Sequence, residues 1–212
     1  MLTSIEYVYL NTKTTNTTIL KISFIFLFLS LMGAGCEKEE DELLLEISSD
    51  SKSAIIQKEV DGIEFKLCLL NEKGEPANVF NEGENFGFNF SFKNKIQDTI
   101  IVTTEFINSN FFRVYRSLDK PDMGKPWTGV WCNLSLAPHE INLAPSNLKQ
   151  LYCPWILIKD IAPDYPLCMG ESKDYLAKGK YETFFNLDFH FTIGDKKRII
   201  DNITFKINFE IQ

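Results

Sequence analysis

The side chains of this 212-residue sequence that could do chemistry are five cysteine thiols, two histidine imidazoles and a set of scattered carboxylates. His139 and His190 each stand apart from any serine or cysteine in a known nucleophile motif. The acids near residues 160–174 lack the alternating spacing of a calcium-binding loop, which favours solvated loop acids over a calcium site. The sequence therefore predicts no catalytic residue, no metal site and no cofactor, and it indicates that the protein is not an enzyme.

A largely apolar run of eleven residues, Ile22 to Met32, leads into Gly33-Ala34-Gly35-Cys36 and is followed at once by an acidic cluster. Eleven residues are too few to cross a bilayer core, which needs about 20. The alternative of a short buried helix is disfavoured by the acidic cluster. The pattern resembles a bacterial lipoprotein signal peptide, which is cut before a cysteine that carries a diacylglyceryl group. The resemblance implies that residues 1–35 are an N-terminal extension with a signal peptide, and that Cys36 is the lipid attachment site.

The other cysteines are disulfide candidates, because a lipoprotein matures outside the reducing cytoplasm. Four cysteines allow three pairings, and the sequence does not choose among them. A bridge from Cys153 to Cys168 would close a proline-rich loop. The alternative of a zinc site is disfavoured because no Cys-x-x-Cys occurs and neither histidine has a second ligand nearby. The four candidates are Cys68, Cys132, Cys153 and Cys168.

The charge of the chain and its segment after the signal bear on partners and location. The net charge of −7 repels phosphate backbones, so no nucleic-acid partner is expected. Residues 36–53 are charged and serine-bearing and are interpreted as an acidic tether. Their opening, Lys38-Glu39-Glu40, resembles a short signal that exports lipoproteins to the outer face of some Gram-negative bacteria. We therefore expect a lipid-anchored outer-membrane protein at the cell surface, with the periplasmic face as the alternative.

Alternation with a period of two dominates the sequence from residue 54 onward. Apolar residues recur at every second position in Phe86 to Phe92, Tyr181 to Phe191 and Ile203 to Ile211. Gly194-Asp195 lies between the last two segments and can form a tight turn, so these segments should pair as a hairpin. No long amphipathic helix pattern competes. The sequence therefore predicts an all-β domain over residues 54–212.

One local motif narrows the choice among β folds. Leu176, Gly179 and Tyr181 stand as Leu-x-x-Gly-x-Tyr before the penultimate predicted strand. This motif resembles the tyrosine corner of immunoglobulin-like β-sandwiches, in which the phenol hydroxyl bonds back to the preceding backbone. Thr183 occupies the place of the second antibody cysteine, so the core disulfide of those domains is absent. The resemblance implies an immunoglobulin-like β-sandwich with Gly179 and Tyr181 as structural residues.

The segment from residue 117 to residue 178 differs in composition from the rest and is predicted to be a loop-rich insertion. It holds seven of the eight prolines and all three tryptophans. Two short strands are predicted in it, near residues 129–136 and 148–158. Its aromatic residues have two interpretations: a binding surface, or a mini-core that supports the loops, which we prefer. The candidate binding residues are Trp127, Trp131, His139, Tyr152 and Trp155.

Two classes of function fit this reading of the sequence. The first is a non-catalytic binding module that engages a glycan, a peptide or a partner protein in the cell envelope. The second rests on strand order: a strand from Glu84 to Lys93, another from Phe111 to Arg116 and a late Gly-x-Tyr strand are similar in order to BsuPI-type proteinase inhibitors. That resemblance covers residues 80–190 and assigns no inhibitory contact residue.

Overall fold

The computed structural model describes residues 42–48, 51, 53–130, 140–157, 164, 166–169 and 174–212. All regular elements in these ranges are β strands, and none of the described residues forms a helix long and apolar enough to cross a membrane. In chain order the strands are β1 (Leu43–Ile47), β2 (Ile55–Val60), β3 (Ile63–Leu70), β4 (Val79–Phe80), β5 (Gly87–Asn94), β6 (Ile100–Thr103), β7 (Val114–Arg116), β8 (Asp122–Gly124), β9 (Trp127–Val130), β10 (Glu140–Leu143), β11 (Leu148–Pro154), β12 (Leu167–Met169), β13 (Gly179–Ile193) and β14 (Lys196–Ile211).

The larger sheet is built on the long antiparallel hairpin of β13 and β14. Their register runs from Ile193 opposite Lys196 to Gly179 opposite Ile211, which confirms the predicted hairpin. On one side of it, β6 and β7 pair with β13 and extend the sheet to β10 and β8. On the other side, β1 and β4 pair with β14 in parallel, one after the other along its length.

The second sheet contains four antiparallel strands in the order β11-β5-β3-β2. Its two central strands place their large apolar residues in register, with Phe90 opposite Leu67 and Phe92 opposite Phe65. A separate two-stranded pair is formed by β9 and β12. Because β3 and β5 are shielded by strands on both sides, they can be apolar along nearly their whole length.

The two sheets pack face to face across a layer of phenylalanine rings. The fully buried ring of Phe90 from the second sheet lies 5.5 Å from that of Phe185 on β13 and 5.9 Å from that of Phe205 on β14. Edge-to-face pairs of this kind stabilise a core beyond the burial of their area, by about 0.5–1.5 kcal/mol each. The predicted all-β fold is therefore confirmed for the described residues, with two sheets around one aromatic core.

The predicted tether is wrong over residues 43–47, which form β1. Leu43, Leu45 and Ile47 align with Ile203, Phe205 and Ile207 on β14, and Ile47 is buried. The acidic residues around this segment masked three apolar residues at every second position. The compact unit of the chain accordingly begins at Glu42 rather than at residue 54.

The predicted loop-rich insertion contributes strands to both main sheets. β10 pairs with β6 in the larger sheet, and β11 pairs with β5 in the second, so residues 140–154 are integral to the architecture. The strand predicted from Phe111 to Arg116 is shorter than expected and begins at Val114. Phe111 and Phe112 form a buried turn before it, in which Phe112 has a φ of 60°.

Candidate functional site

The two described tryptophans are core residues, so the binding interpretation is wrong for both. Trp127 is 6% exposed, and its ring nitrogen donates a 2.7 Å hydrogen bond to the carbonyl of Phe111. Trp155 is 2% exposed, stacks on Phe86 at 5.7 Å and donates to the carbonyl of Asp174. Both belong to the aromatic core between the sheets rather than to a separate mini-core of the insertion. Trp131 and His139 lie outside the described residues.

Tyr152 is half-buried and packs on a glycine of the neighbouring strand. A Cβ atom added to Gly87 would lie 2.4 Å from the Tyr152 ring, so only glycine leaves room for it. Burial raises the pKa of the Tyr152 hydroxyl, and the nearby Cys153 and Asp164 act in the same direction. This contact identifies Tyr152 as a packing residue and gives no support to a role in binding.

Among the described residues, Cys68 and Cys153 form no disulfide: both are buried free thiols, and each of the three complete pairings requires both. Cys153 shares the core-facing row of Leu69 and Phe88, whereas Cys68 aligns with Asn89 in the next row, which faces the other side of the sheet. Burial raises the pKa of the Cys153 thiol to about 12. Cys168 is half-buried, and Cys36 and Cys132 lie outside the described residues.

The hydrogen bond expected of a tyrosine corner is present in this chain. The hydroxyl of Tyr181 donates to the carbonyl of Ala177 at 2.7 Å, and the ring is buried against Phe209. Gly179 begins β13 with a φ of 155°, which side-chain-bearing residues rarely adopt. The contact fixes the loop before β13 at one end of the larger sheet.

At that same end lies an open polar groove of about 510 Å³, which we call the end groove. It is lined by two turns, residues 71–73 and 81–84, and by Val79 of β4. The first turn follows the end of β3, and the second connects β4 towards β5. The amide of Glu82 donates to the carbonyl of Gln212, which places the groove beside the last residue of the chain.

Side chains hold both turns of the end groove in place. Asn71 Oδ1 accepts hydrogen bonds from the amides of Lys73 and Glu75 at 3.0 and 2.9 Å. Glu84 Oε2 accepts from the amide of Asn81 at 2.8 Å and from its side chain at 3.0 Å. Because these side chains replace water as partners of the turn backbone, the walls are fixed before any ligand arrives.

Buried Asn85 joins the groove to the second sheet. Its backbone amide donates to Glu72 Oε1 at 3.0 Å. Its side-chain amide makes two 2.9 Å hydrogen bonds with the backbone of Ile156, donating to the carbonyl and accepting from the N–H. Three elements that are distant in sequence therefore meet at one side chain.

The end groove is acidic. Glu72, Glu82 and Glu84 face a single lining cation, Lys73. The Glu82 carboxylate lies 3.9 Å from the ammonium of Lys178, and both side chains are more than half exposed. An ion pair at that distance and exposure contributes little, so the excess of negative charge is available to a ligand.

A second charged cluster lies on the outer face of the larger sheet. His190 Nδ1 is 2.7 Å from Glu105 Oε2, and its Nε2 is 2.7 Å from Asp188 Oδ1. Both nitrogens can donate only when the ring is an imidazolium. The cluster links β13 to the turn after β6. Among the described residues, no set of three or more His, Cys, Asp or Glu side chains is placed to hold a metal ion.

Comparisons with known proteins leave the family open. No family model matches the chain, and no curated protein matches it. The solved structure of the CooA pilin subunit from enterotoxigenic Escherichia coli is similar over 69% of this chain and 98% of its own, with 14% identity and a TM-score of 0.28. A TM-score this low assigns neither a family nor a function.

The sequence analysis singled out none of the residues that line the end groove. The signal was present in Asn71 to Gly74 and Asn81 to Glu84, where an asparagine precedes a glycine and acids flank both. Asparagine and glycine mark turns. The two turns belong to different connections of the chain. They come together only in the folded structure, where β4 pairs with β14.

Proposed function

We propose that this chain is a lipid-anchored, non-catalytic binding module of the bacterial cell envelope. Its anchor is Cys36, and its binding site is the end groove. The anchor is supported by the resemblance of residues 22–36 to a lipoprotein signal. The binding role is supported above all by one observation: the end groove has fixed walls and unbalanced negative charge.

The ligand class follows from the chemistry of the groove. Its lining offers carboxylates, asparagine amides and backbone groups, with Val79 as the one apolar side chain. Such a surface recognises hydrogen-bond donors and positive charge, so we propose that it takes a segment of a peptide or partner protein that carries a basic residue. Acidic glycans would be repelled by the same carboxylates.

The proposed fold in finer detail is immunoglobulin-like. In such sandwiches the chain passes from a strand of one sheet to a strand of the other. Later strands then pair beside each of these two strands. The order here fits that scheme, since β11 lies beside β5 in one sheet and β13 beside β6 in the other. The bond from Tyr181 to Ala177 supports the same assignment.

The anchor is tested by intact-mass analysis of the membrane-extracted protein. We expect a chain that begins at Cys36 and carries added acyl mass, and we expect a Cys36→Ser variant to leave the membrane fraction. Two or three acyl chains hold a protein almost permanently, because each buried methylene contributes about 0.8 kcal/mol. A Cys36→Ser variant that sediments with membranes as the parent does would overturn the anchor.

The groove is tested by reversing one of its charges. Glu82→Lys reverses the charge of one residue at the rim of the groove. It removes no hydrogen bond within the described residues, because the Glu82 carboxylate makes only the 3.9 Å ion pair with Lys178. The matched control is Glu59→Lys on the exposed face of β2. Partners captured from envelope extract by the parent and the control should be lost from the Glu82 variant. Equal capture by all three would exclude the groove, and groove-dependent capture of an active protease would favour the inhibitor class.

A further inference from the structure

We infer that the basic tip of the β13–β14 hairpin rests on the anionic membrane that carries the anchor, which turns the end groove away from the bilayer. The inference rests on the proposed attachment at Cys36. The hairpin tip is defined here as residues 194–199, at the end of the larger sheet opposite the end groove.

The length of chain before β1 excludes one orientation. Six residues, 37–42, separate Cys36 from Leu43, and the seven Cα–Cα steps between the two span at most about 25 Å when fully extended. Leu43 is aligned with Ile203, and the nine residues from there to Gln212, beside the groove, extend about 30 Å along the sheet. The anchor is therefore too short to let the groove end stand on the bilayer.

The opposite orientation is within reach. The seven residues from Ile203 back to Lys196 extend about 23 Å, which is within the reach of the anchor segment. β1 also runs parallel to β14, so its first residue faces the hairpin tip and its last faces the groove. Both a tip-down and a side-on orientation satisfy the length of the chain.

Charge selects the tip-down orientation. Lys196, Lys197 and Arg198 are consecutive and exposed, and they are followed by Ile199, which is 55% exposed. The acids of the same hairpin are Asp195 and Asp201, so residues 194–201 are net positive in a chain of net charge −7. Basic residues close to an anionic leaflet are attracted to its phosphate headgroups, and the acidic end groove is repelled by them.

The test uses the lipidated protein in phospholipid vesicles, with hydrogen exchange followed by mass spectrometry. Vesicles of phosphatidylcholine with phosphatidylglycerol are compared with vesicles of phosphatidylcholine alone. We expect exchange of the turn amides in peptides that cover residues 194–200 to slow by roughly fivefold on the anionic vesicles, the factor that corresponds to the attraction of one basic residue. Peptides that cover the end groove should not change. Salt near 1 M, where the Debye length is about 3 Å, should remove the protection.

The variant for this test is the triple reversal Lys196→Glu, Lys197→Glu, Arg198→Glu, and the control is Lys178→Glu beside the groove. The tip variant should still float with vesicles yet lose the slowed exchange, while the control keeps it. An unchanged thermal unfolding midpoint shows that the tip variant is folded.

The outcomes separate the two proposals. If the parent does not float with vesicles, the anchor is wrong and this inference is overturned with it. If the parent floats but the tip is equally exposed on both vesicle types, or the groove is protected instead, the anchor stands and the inference is overturned.

Discussion

The two ends of the sandwich are held in shape by different means. At the end groove, side chains of Asn71, Glu72 and Glu84 make the hydrogen bonds that fix the turns. At the hairpin tip, the backbone alone makes a two-residue turn, in which Gly194 has a φ of 56°. A turn that needs no side-chain support leaves its side chains available for another role.

That difference matches what each end is proposed to contact. Recognition of a defined ligand gains from polar groups that are already in position, because less ordering entropy is lost on binding. The charge of a membrane surface is spread over many headgroups. Attraction to it therefore requires only that basic residues lie within the range of its electrostatic potential. The end groove has the fixed polar groups that suit a defined ligand. The hairpin tip has the exposed basic residues that suit a membrane surface, namely Lys196, Lys197 and Arg198.

The largest effect on this comparison is expected from Asn85→Ala. The change leaves the N–H and the carbonyl of Ile156 without their partner, and it loosens the position of residue 85, whose backbone amide still donates to Glu72. We expect the free energy of unfolding in urea to fall by about 3 kcal/mol, and capture through the groove to weaken with it. The control is Asn81→Ala on the exposed rim, which should cost under about 1 kcal/mol. Equal losses in the two variants would show that Asn85 does not organise this end.

The next largest effect is expected from Gly87→Ala, close to the groove at the start of β5. The added methyl group would meet the Tyr152 ring at 2.4 Å, and such overpacking costs about 2 kcal/mol. The cause can be isolated in a double-mutant cycle. In a Tyr152→Ala background the same glycine change should cost almost nothing, since the methyl group then enters open space. A cost that persists in that background would place the strain in the backbone instead.

The sequence predicts the strands whose alternation continues over many residues. The register of β13 with β14 and the phenylalanine wall of β5 follow directly from period-two spacing and a Gly-Asp turn. β1 was hidden because its four apolar residues sit in an acidic segment, and its stability comes from the partner strand β14 rather than from its own composition. A short edge strand of this kind carries too little local signal to be found alone.

The candidate site was harder to predict for a related reason. Tryptophan in a proline-rich segment fits either an exposed binding surface or a small core, and Trp127 and Trp155 are buried with their ring nitrogens bonded to backbone carbonyls. Whether an aromatic residue faces a core or a ligand depends on the partner that covers it, which no local pattern encodes. The end groove depends on two connections that meet only after β4 has paired with β14.

At the hairpin tip, Gly194→Ala should destabilise the fold by about 1 kcal/mol. Its φ of 56° lies in the left-handed region, where a Cβ atom is strained and glycine is not. Gly194→Asn is the matched comparison, because asparagine tolerates this region better, and it should cost less than alanine in the same urea titration. Equal costs for alanine and asparagine would argue against a conformational origin. Neither change should affect capture by the groove, about 50 Å away along β14 at its ordinary rise.

The smallest effect is expected between the two ends, where β1 is held on β14. Hydrogen bonds from Asn208 and Lys206 to the Glu46 carboxylate lower the pKa of that carboxyl. A lowered pKa in the folded state means that this contribution to stability is complete above the ordinary carboxyl pKa of about 4.3, and that it is lost as the pH falls through the lower folded value. The free-energy difference between the parent and Glu46→Gln should therefore shrink between pH 6 and pH 3, with Glu59→Gln as the exposed control. A difference that stays constant over that range would mean that β1 is held by its apolar residues alone, and that the orientation of the anchor does not depend on this ion pair.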